Sequence, residues 1–164
     1  MDAFDADVLI YAASADHRFG PLIRALFPAT PGRTAGVGSV LLLPEVLAKP
    51  MRTGAAGELT ALVGLLSRLN LRPVDAVTAE VATTVAVAYG LRAADATHLA
   101  TAVVAGADRF VTNNRRGFSA AIAEIDVVYP EMLDEQFSDP FLPVRRSGWG
   151  GGGGPGRRWP TRSR

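Results

Sequence analysis

Cysteine is absent from the 164 residues, and lysine occurs only once, as Lys49. The first absence excludes disulfides, thiolate zinc sites and cysteine nucleophiles. The second excludes reaction schemes that need a lysine at any other position. No apolar run approaches the roughly 18 residues that cross a bilayer, and the first residues lack the basic start and apolar core of a signal peptide. These absences predict a cytoplasmic protein without a membrane segment.

Positive charge is scarce in most of the chain and concentrated at its end. Residues 144–164 contain six arginines and no acid, so with +1 overall the rest of the chain carries −5. Glycine, proline and tryptophan accompany these arginines, and such a segment buries too little apolar surface to offset the entropy of ordering. We therefore expect one domain over residues 1–135. A Gly/Arg-rich extension over 136–164 is expected to be disordered from about residue 144.

Strand and helix patterns alternate along the domain, which predicts an α/β fold with parallel strand pairing. The expected strands precede Asp5, cover 71–74, include 110–111 and cover 125–129. The expected helical segments cover 19–27, 58–69, 78–89, the stretch before Gly106 and a turn at 117–122, with a loop at 28–38. Residues 39–50 leave two alternatives. Either Ser39 caps a helix that Pro44 disturbs, or a strand ends at Leu43 and Pro44 begins the helix.

Polar side chains interrupt the apolar pattern in four separate elements, at Asp5, Glu45, Asp95 and Asn114. Asp95 lies in the first turn of its predicted helix, and Asn114 follows a predicted strand, at the edge where open α/β sheets bind ligands. If the three carboxylates converge, each pair repels by roughly 4 kcal/mol at 4 Å. A hard divalent cation is the natural counter-charge, and it would activate water against a phosphodiester.

The segments around these residues closely resemble the PIN-domain family, especially the short VapC-like toxins of bacterial toxin–antitoxin pairs. The matching segments are Phe-Asp5-Ala-Asp7-Val-Leu-Ile, Pro44-Glu45-Val-Leu-Ala, Ala94-Asp95-Ala-Thr-His98-Leu-Ala-Thr-Ala and Ala107-Asp-Arg-Phe-Val-Thr112-Asn-Asn114-Arg-Arg-Gly-Phe118. The resemblance covers about residues 3–130. It implies a three-layer α/β/α sandwich with a mostly parallel sheet, and an endoribonuclease that depends on Mg²⁺ or Mn²⁺. It also implies a homodimer and a small antitoxin that covers the active site.

The same resemblance assigns roles to individual residues. Asp5 and Asp95 match the principal metal-binding acids, and Glu45 matches the second acid, which holds metal or orients water. Thr112 matches a hydroxyl residue that lines the site, and Asp7 stands beside it as an auxiliary residue. The alternative for Asp7 is a helix cap.

The fourth catalytic position departs from the family pattern, because Asn114 stands where the family usually has an acid. An amide oxygen still ligates metal but adds no negative charge, so we expect weaker metal binding with the chemistry retained. Arg115 and Arg116, which follow directly, are the best candidates for contacts with RNA phosphates.

Other functions remain open at this stage. Asp5-Ala-Asp7 also resembles the start of haloacid-dehalogenase-like phosphatases, but Lys49 lies in the wrong context for their lysine. A PIN-like module that binds RNA or protein without cutting is compatible with Asn114 and with the basic extension, whereas three retained acids favour a nuclease. His98 follows Asp95 by three residues and suits acid–base chemistry or, more often, a structural role.

Overall fold

The computed structural model describes residues 1–30 and 32–133, which form five strands and six helices. The strands are β1 (Asp2–Phe4), β2 (Gly36–Ser39), β3 (Leu69–Arg72), β4 (Arg109–Val111) and β5 (Asp126–Val128). The helices are α1 (Ala6–Ala13), α2 (Gly20–Ala25), α3 (Leu42–Thr53), α4 (Ala56–Leu66), α5 (Ala76–Tyr89) and α6 (Ala93–Val104). The predicted domain boundary at 135 and the extension 136–164, with its expected disorder, lie outside the described residues.

The strands form one sheet in the order β3-β2-β1-β4-β5, and every neighbouring pair is parallel. The predicted parallel α/β fold is therefore confirmed. The central strand β1 pairs with β4 so that Phe4 lies opposite Val111. Because the strands are parallel, the residues that follow β1 and β4 emerge side by side at the carboxyl edge of the sheet.

Alternating side chains of the short strands supply two separate cores, one on each face of the sheet. Ala3 and Phe110 pack into a core with residues of α5 and α6, such as Val85 and Leu99. Phe4 and Val111 pack into the other core, together with apolar residues of α1, α2, α3 and α4. Helices therefore cover both faces, as the predicted three-layer sandwich requires.

Strand β2 begins inside the segment that glycine content had indicated as a loop. A Cβ at Gly36 would overlap the carbonyl oxygen of Asp2 and lie 2.9 Å from a ring carbon of Phe4. Glycine is required here because the neighbouring strand approaches closely, which composition does not distinguish from a loop signal.

Neither alternative for residues 39–50 is correct. The strand ends at Ser39, whose hydroxyl accepts a hydrogen bond from the Leu41 amide, and α3 begins at Leu42. Pro44 lies in the first helical turn, where its missing N–H costs no helical hydrogen bond. Glu45 consequently lies in the first turn of α3.

Other boundaries also differ from the sequence predictions. The helix expected over 78–89 begins at Ala76, because Asp75 caps α5 and its Oδ1 accepts from both the amide and the hydroxyl of Thr78 at 2.8 Å. Its last residue is Tyr89, as predicted, and Gly90 follows with a φ of +67°. Residues 117–122 form turns without an assigned helix. No helix in the described part of the chain is long and apolar enough to cross a membrane.

Candidate active site

The carboxyl ends of β1 and β4 bring Asp5 and Thr112 together. The Asp5 amide donates to the Val111 carbonyl at 3.0 Å, which extends the pairing of the two strands by one residue. The Thr112 hydroxyl then donates to Asp5 Oδ2 at 2.7 Å and accepts from the Asn114 amide at 3.1 Å. Thr112 is fully buried, so this hydroxyl fixes the Asp5 carboxylate in a protected position.

Asp5 is the N-cap of α1, and only 5% of its surface is exposed. Its Oδ1 accepts from the Ala6 amide at 2.8 Å, so both carboxylate oxygens are held. Burial raises the pKa of Asp5 above its ordinary value, against the lowering effect of the Thr112 hydrogen bond and the nearby His98. The fold therefore keeps this acid in place although burial penalises its charge.

Asp7 lies in the first turn of the same helix and faces the loop after β4. Its Oδ2 accepts from the Asn113 amide at 3.0 Å, whereas its Oδ1 is buried without a hydrogen-bond partner among the described residues. Burial and then the charge of Asp5 raise the pKa of Asp7 from 3.8 to about 7. The cap position belongs to Asp5, so the helix-cap alternative for Asp7 is wrong.

Glu45 reaches the same edge from α3 and is paired with a residue that the sequence did not connect to it. His98 Nε2 lies 2.6 Å from Glu45 Oε2, and the His98 side chain is 1% exposed against 42% for Glu45. This hydrogen bond is the main reason that the pKa of Glu45 is lowered, although burial opposes it.

His98 itself is surrounded by acids. Burial disfavours its charged form, but the hydrogen bond to Glu45 and the charges of Asp5, Glu45 and Asp95 together raise its pKa. Its Nδ1 is buried without a partner in the described part of the chain. The preference for a structural role is consistent with this geometry, because the ring joins α6 to α3 and holds an acid.

Asp95 lies in the first turn of α6, as predicted, and is partly buried. Burial and then the charge of Glu45 raise the pKa of Asp95. The charge of Glu45 also contributes to the raised pKa values of Asp5 and Asp7. Glu45 is therefore close enough to the acids of the two other helical N-termini to raise the pKa of each of them.

The acids lie near one another, but they do not form a preformed metal-binding site. Among residues 1–30 and 32–133, no three carboxylate or imidazole side chains converge tightly enough to hold a metal ion as they stand. The donor set nevertheless suits Mg²⁺ or Mn²⁺, which prefer oxygen ligands and retain waters. Asp7 Oδ1 is buried without a partner among the described residues, and the pKa values of Asp5, Asp7 and Asp95 are raised. A bound cation would give the free oxygen a partner and would stabilise the charged form of these carboxyl groups.

Asn114 lies beside this cluster through its hydrogen bond to Thr112. Its side-chain Oδ1 accepts from the Gly117 amide at 3.0 Å, so the amide oxygen also closes the following turn. A carbonyl oxygen has two acceptor positions, which leaves one for a ligand.

The two arginines after Asn114 differ in their surroundings. Arg115 is paired with Glu131, and its guanidinium carbon lies 3.9 Å from the centre of the Tyr129 ring. Arg116 is exposed. Both arginines are exposed and directly follow Asn114, so a phosphate at the edge of the site can reach either of them.

Comparison with known proteins agrees with the parallel α/β fold. Two solved structures share the fold. One is a chain of a toxin–antitoxin complex from Klebsiella pneumoniae, with 24% identity, a TM-score of 0.62 and coverage of 79% of this chain and 98% of that one. The other is a chain of VapBC2 from Rickettsia felis bound to a promoter DNA fragment, with 18% identity, a TM-score of 0.57 and coverage of 78% and 97%.

No curated protein matches the chain. The family model of the PIN domain, in contrast, matches residues 3–123, which is well over half of the 164 residues. That range includes all four elements that supply the acids and Asn114. The chain therefore belongs to the PIN domain family.

Proposed function

We propose that the protein is a metal-dependent endoribonuclease and the cytoplasmic toxin of a toxin–antitoxin pair. The observation that carries the proposal is the gathering of Asp5, Glu45 and Asp95 at the carboxyl edge of the sheet, where the charge of Glu45 raises the pKa of both Asp5 and Asp95. An acid cluster of this kind is costly in isolation and is expected where a cation binds.

Asp5 and Asp95 are the principal ligands for Mg²⁺ or Mn²⁺ in this proposal, with Glu45 and Asn114 as weaker ones. When bound, such an ion lowers the pKa of a water molecule and neutralises charge on a phosphodiester. The neutral Asn114 contributes less attraction than an acid, so we expect a lowered metal affinity and retained cleavage.

The chain's own residues keep the ligands in position. The Ala6 amide and the Thr112 hydroxyl each hold one oxygen of Asp5, and His98 holds one oxygen of Glu45. Because these contacts exist in the protein alone, the acids need little reorganisation when a cation arrives. Arg115 and Arg116 are proposed to contact RNA phosphates.

The partners are proposed from the two similar structures, one described as a toxin–antitoxin complex and the other as VapBC2 bound to promoter DNA. This chain spans nearly their whole length, 98% and 97%. We propose a small antitoxin that covers the acid cluster, and a homodimer as the working form.

Cleavage of total cellular RNA by the purified protein tests the proposal, with Mn²⁺, Mg²⁺ or EDTA present. The matched variants are Asp95→Asn and Asp126→Asn, since Asp126 is an exposed acid at the amino end of β5, on the opposite edge of the sheet. We expect discrete metal-dependent products from the wild type and from Asp126→Asn, and none from Asp95→Asn. Products that persist in Asp95→Asn would contradict the proposal.

A second candidate is a PIN-like module that binds RNA or protein without cutting. It is favoured by Asn114, whose amide replaces the family's usual acid and already serves the turn to Gly117. If neither the wild type nor Asn114→Asp cleaves RNA while both bind it, this candidate replaces the nuclease. Cleavage gained only by Asn114→Asp would mean that one amide disables the site.

A further inference from the structure

The first turns of α1 connect the acid cluster to an aromatic pair. Asn113 donates through its backbone amide to Asp7 and through its side-chain amide to the Tyr11 hydroxyl, at 3.0 and 3.1 Å. Asp7 and Tyr11 are four residues apart on one helix and therefore share a face. Tyr11 is thus fixed one helical turn away from the candidate active site.

His17 extends this pair outward from the helix. Its ring stacks on the Tyr11 ring with centroids 3.8 Å apart and an interplanar angle of 8°, and both residues are partly exposed. This is nearly parallel stacking, the geometry with which a planar nucleobase continues an aromatic column.

The polar atoms of the pair are available to a ligand. His17 Nδ1 accepts from the Phe19 amide at 3.3 Å, which leaves Nε2–H as the donor of the ring. The Tyr11 oxygen accepts from Asn113 and retains its own proton. Among the described residues neither proton has an acceptor. The pair therefore offers two donors beside a cluster that otherwise offers acceptors.

Positive charge lies next to the same pair. Arg18 is exposed, and its guanidinium carbon lies 4.2 Å from the centre of the Phe19 ring, which restrains it. Its charge reaches Glu131, the partner of Arg115. Arg18 and Arg115 therefore both lower the pKa of Glu131, and Arg115 directly follows Asn114, so a phosphate near this loop meets a restrained arginine.

We propose that Tyr11, His17 and Arg18 form a binding site for a single-stranded RNA segment that leads into the acid cluster. One base stacks on the exposed side of the Tyr11–His17 pair, and the neighbouring phosphate contacts Arg18. This inference rests on the proposed function and adds the location at which the substrate is held. It also explains how an acidic site retains a polyanion, since the contacts that attract RNA lie beside the acids.

Binding measured in the Asp95→Asn background tests the inference without cleavage. The probe is a fluorescein-labelled single-stranded RNA of about 12 nucleotides, a length within the range that a single-strand groove accommodates, and its anisotropy is followed in Mg²⁺ at several salt concentrations. The added changes are Arg18→Ala, His17→Ala and Tyr11→Phe. Arg33→Ala is the control, because Arg33 is exposed just before β2 at the opposite edge of the sheet.

The three changes are expected to affect affinity and its salt dependence differently. Arg18→Ala weakens binding and lowers the slope of log K against log salt by about 0.7, the value for one phosphate contact to a single strand. His17→Ala weakens binding at least about fivefold, because a stacked base contributes roughly 1–3 kcal/mol, and leaves the salt slope unchanged. Tyr11→Phe keeps the stack and loses only a donor, so its effect is smaller. Arg33→Ala changes neither quantity.

Three outcomes would overturn the inference. If Arg18→Ala and His17→Ala bind the single strand like their parent, the site lies elsewhere, and the nuclease proposal stands provided that the wild type cleaves. If both variants weaken the binding of a duplex form of the same RNA as much as they weaken the binding of the single strand, base stacking is not involved. If the parent binds no RNA and the wild type cleaves none, the inference and the proposed function fail together.

Discussion

Thr112→Val is the sharpest structural test of how the site is held. The change keeps the volume and branching of the side chain, so it opens no cavity in a position that is fully buried. It removes the hydroxyl that donates to Asp5 Oδ2 at 2.7 Å and accepts from the Asn114 amide at 3.1 Å. Asp5, at 5% exposure, has little access to water as a substitute donor.

The expected cost follows from these two contacts. A hydrogen bond to a charged group contributes about 1.5–3 kcal/mol and one between neutral groups about 0.5–1.5 kcal/mol. Thr112→Val should therefore lower the free energy of unfolding by about 2–4 kcal/mol. Thr112→Ser keeps the hydroxyl and loses one buried methyl group, which costs about 1 kcal/mol.

Urea unfolding of the three proteins in EDTA, followed by circular dichroism, measures both effects. Hydrogen bonding predicts the order wild type, Thr112→Ser, Thr112→Val, from most to least stable. If packing of the methyl groups dominated, Thr112→Val would match the wild type and Thr112→Ser would be the least stable. That reversed order would refute the role assigned to the hydroxyl.

Three further changes probe separate parts of the structure. Asn114→Asp adds a negative charge beside the proposed metal ligands and should lower the Mn²⁺ concentration for half-maximal cleavage; an unchanged midpoint in a metal titration would count against this role. His98→Leu removes the group that holds Glu45, so initial cleavage rates should fall about 10- to 100-fold, whereas His98→Gln, which still donates a hydrogen bond, should lose less. Gly36→Ala forces a Cβ against the Asp2 carbonyl and should lower the free energy of unfolding by about 1–3 kcal/mol or more. Its control, Gly64→Ala, lies on the open face of α4 with no atom near the added Cβ and should raise the free energy of unfolding by about 0.5–1 kcal/mol in a denaturant titration.

Local sequence signals predicted the class of fold and the acids, but not the contacts between distant elements. The apolar segments beside Asp5 and Asp95 predicted that these acids lie at the ends of a strand and a helix, because an acid that interrupts a buried apolar run indicates the end of an element. Their proximity depends on β1 lying beside β4, and strand order is a property of the whole sheet.

The pairing of Glu45 with His98 illustrates what local patterns omit. The two residues are 53 positions apart, and only the three-residue spacing from Asp95 placed His98 near the site. The start of α3 was equally ambiguous, since Val40, Leu41 and Leu42 suit a strand or a helix. Helix α3 packs against α1 and α4, and such tertiary contacts leave no mark on local periodicity.

The stacking of Tyr11 on His17 is another contact that local sequence patterns do not predict. It forms where the chain turns from α1 to α2, and no periodic pattern covers that turn. Phe19 and Asn113 fix the two rings from different parts of the chain. Sequence periodicity therefore predicted the elements that carry the candidate acids, but it did not predict the aromatic contacts beside them.

A Mn²⁺ titration of cleavage on one defined RNA product tests the central claim most directly. The proteins compared are the wild type, Asp95→Asn and the control Asp126→Asn, at equal concentration and with folding checked by circular dichroism. The account predicts a saturable metal dependence shared by the wild type and Asp126→Asn, and no measurable cleavage by Asp95→Asn at any Mn²⁺ concentration. Equal cleavage by Asp95→Asn, or cleavage that persists in EDTA, would contradict a metal-dependent reaction at this acid cluster.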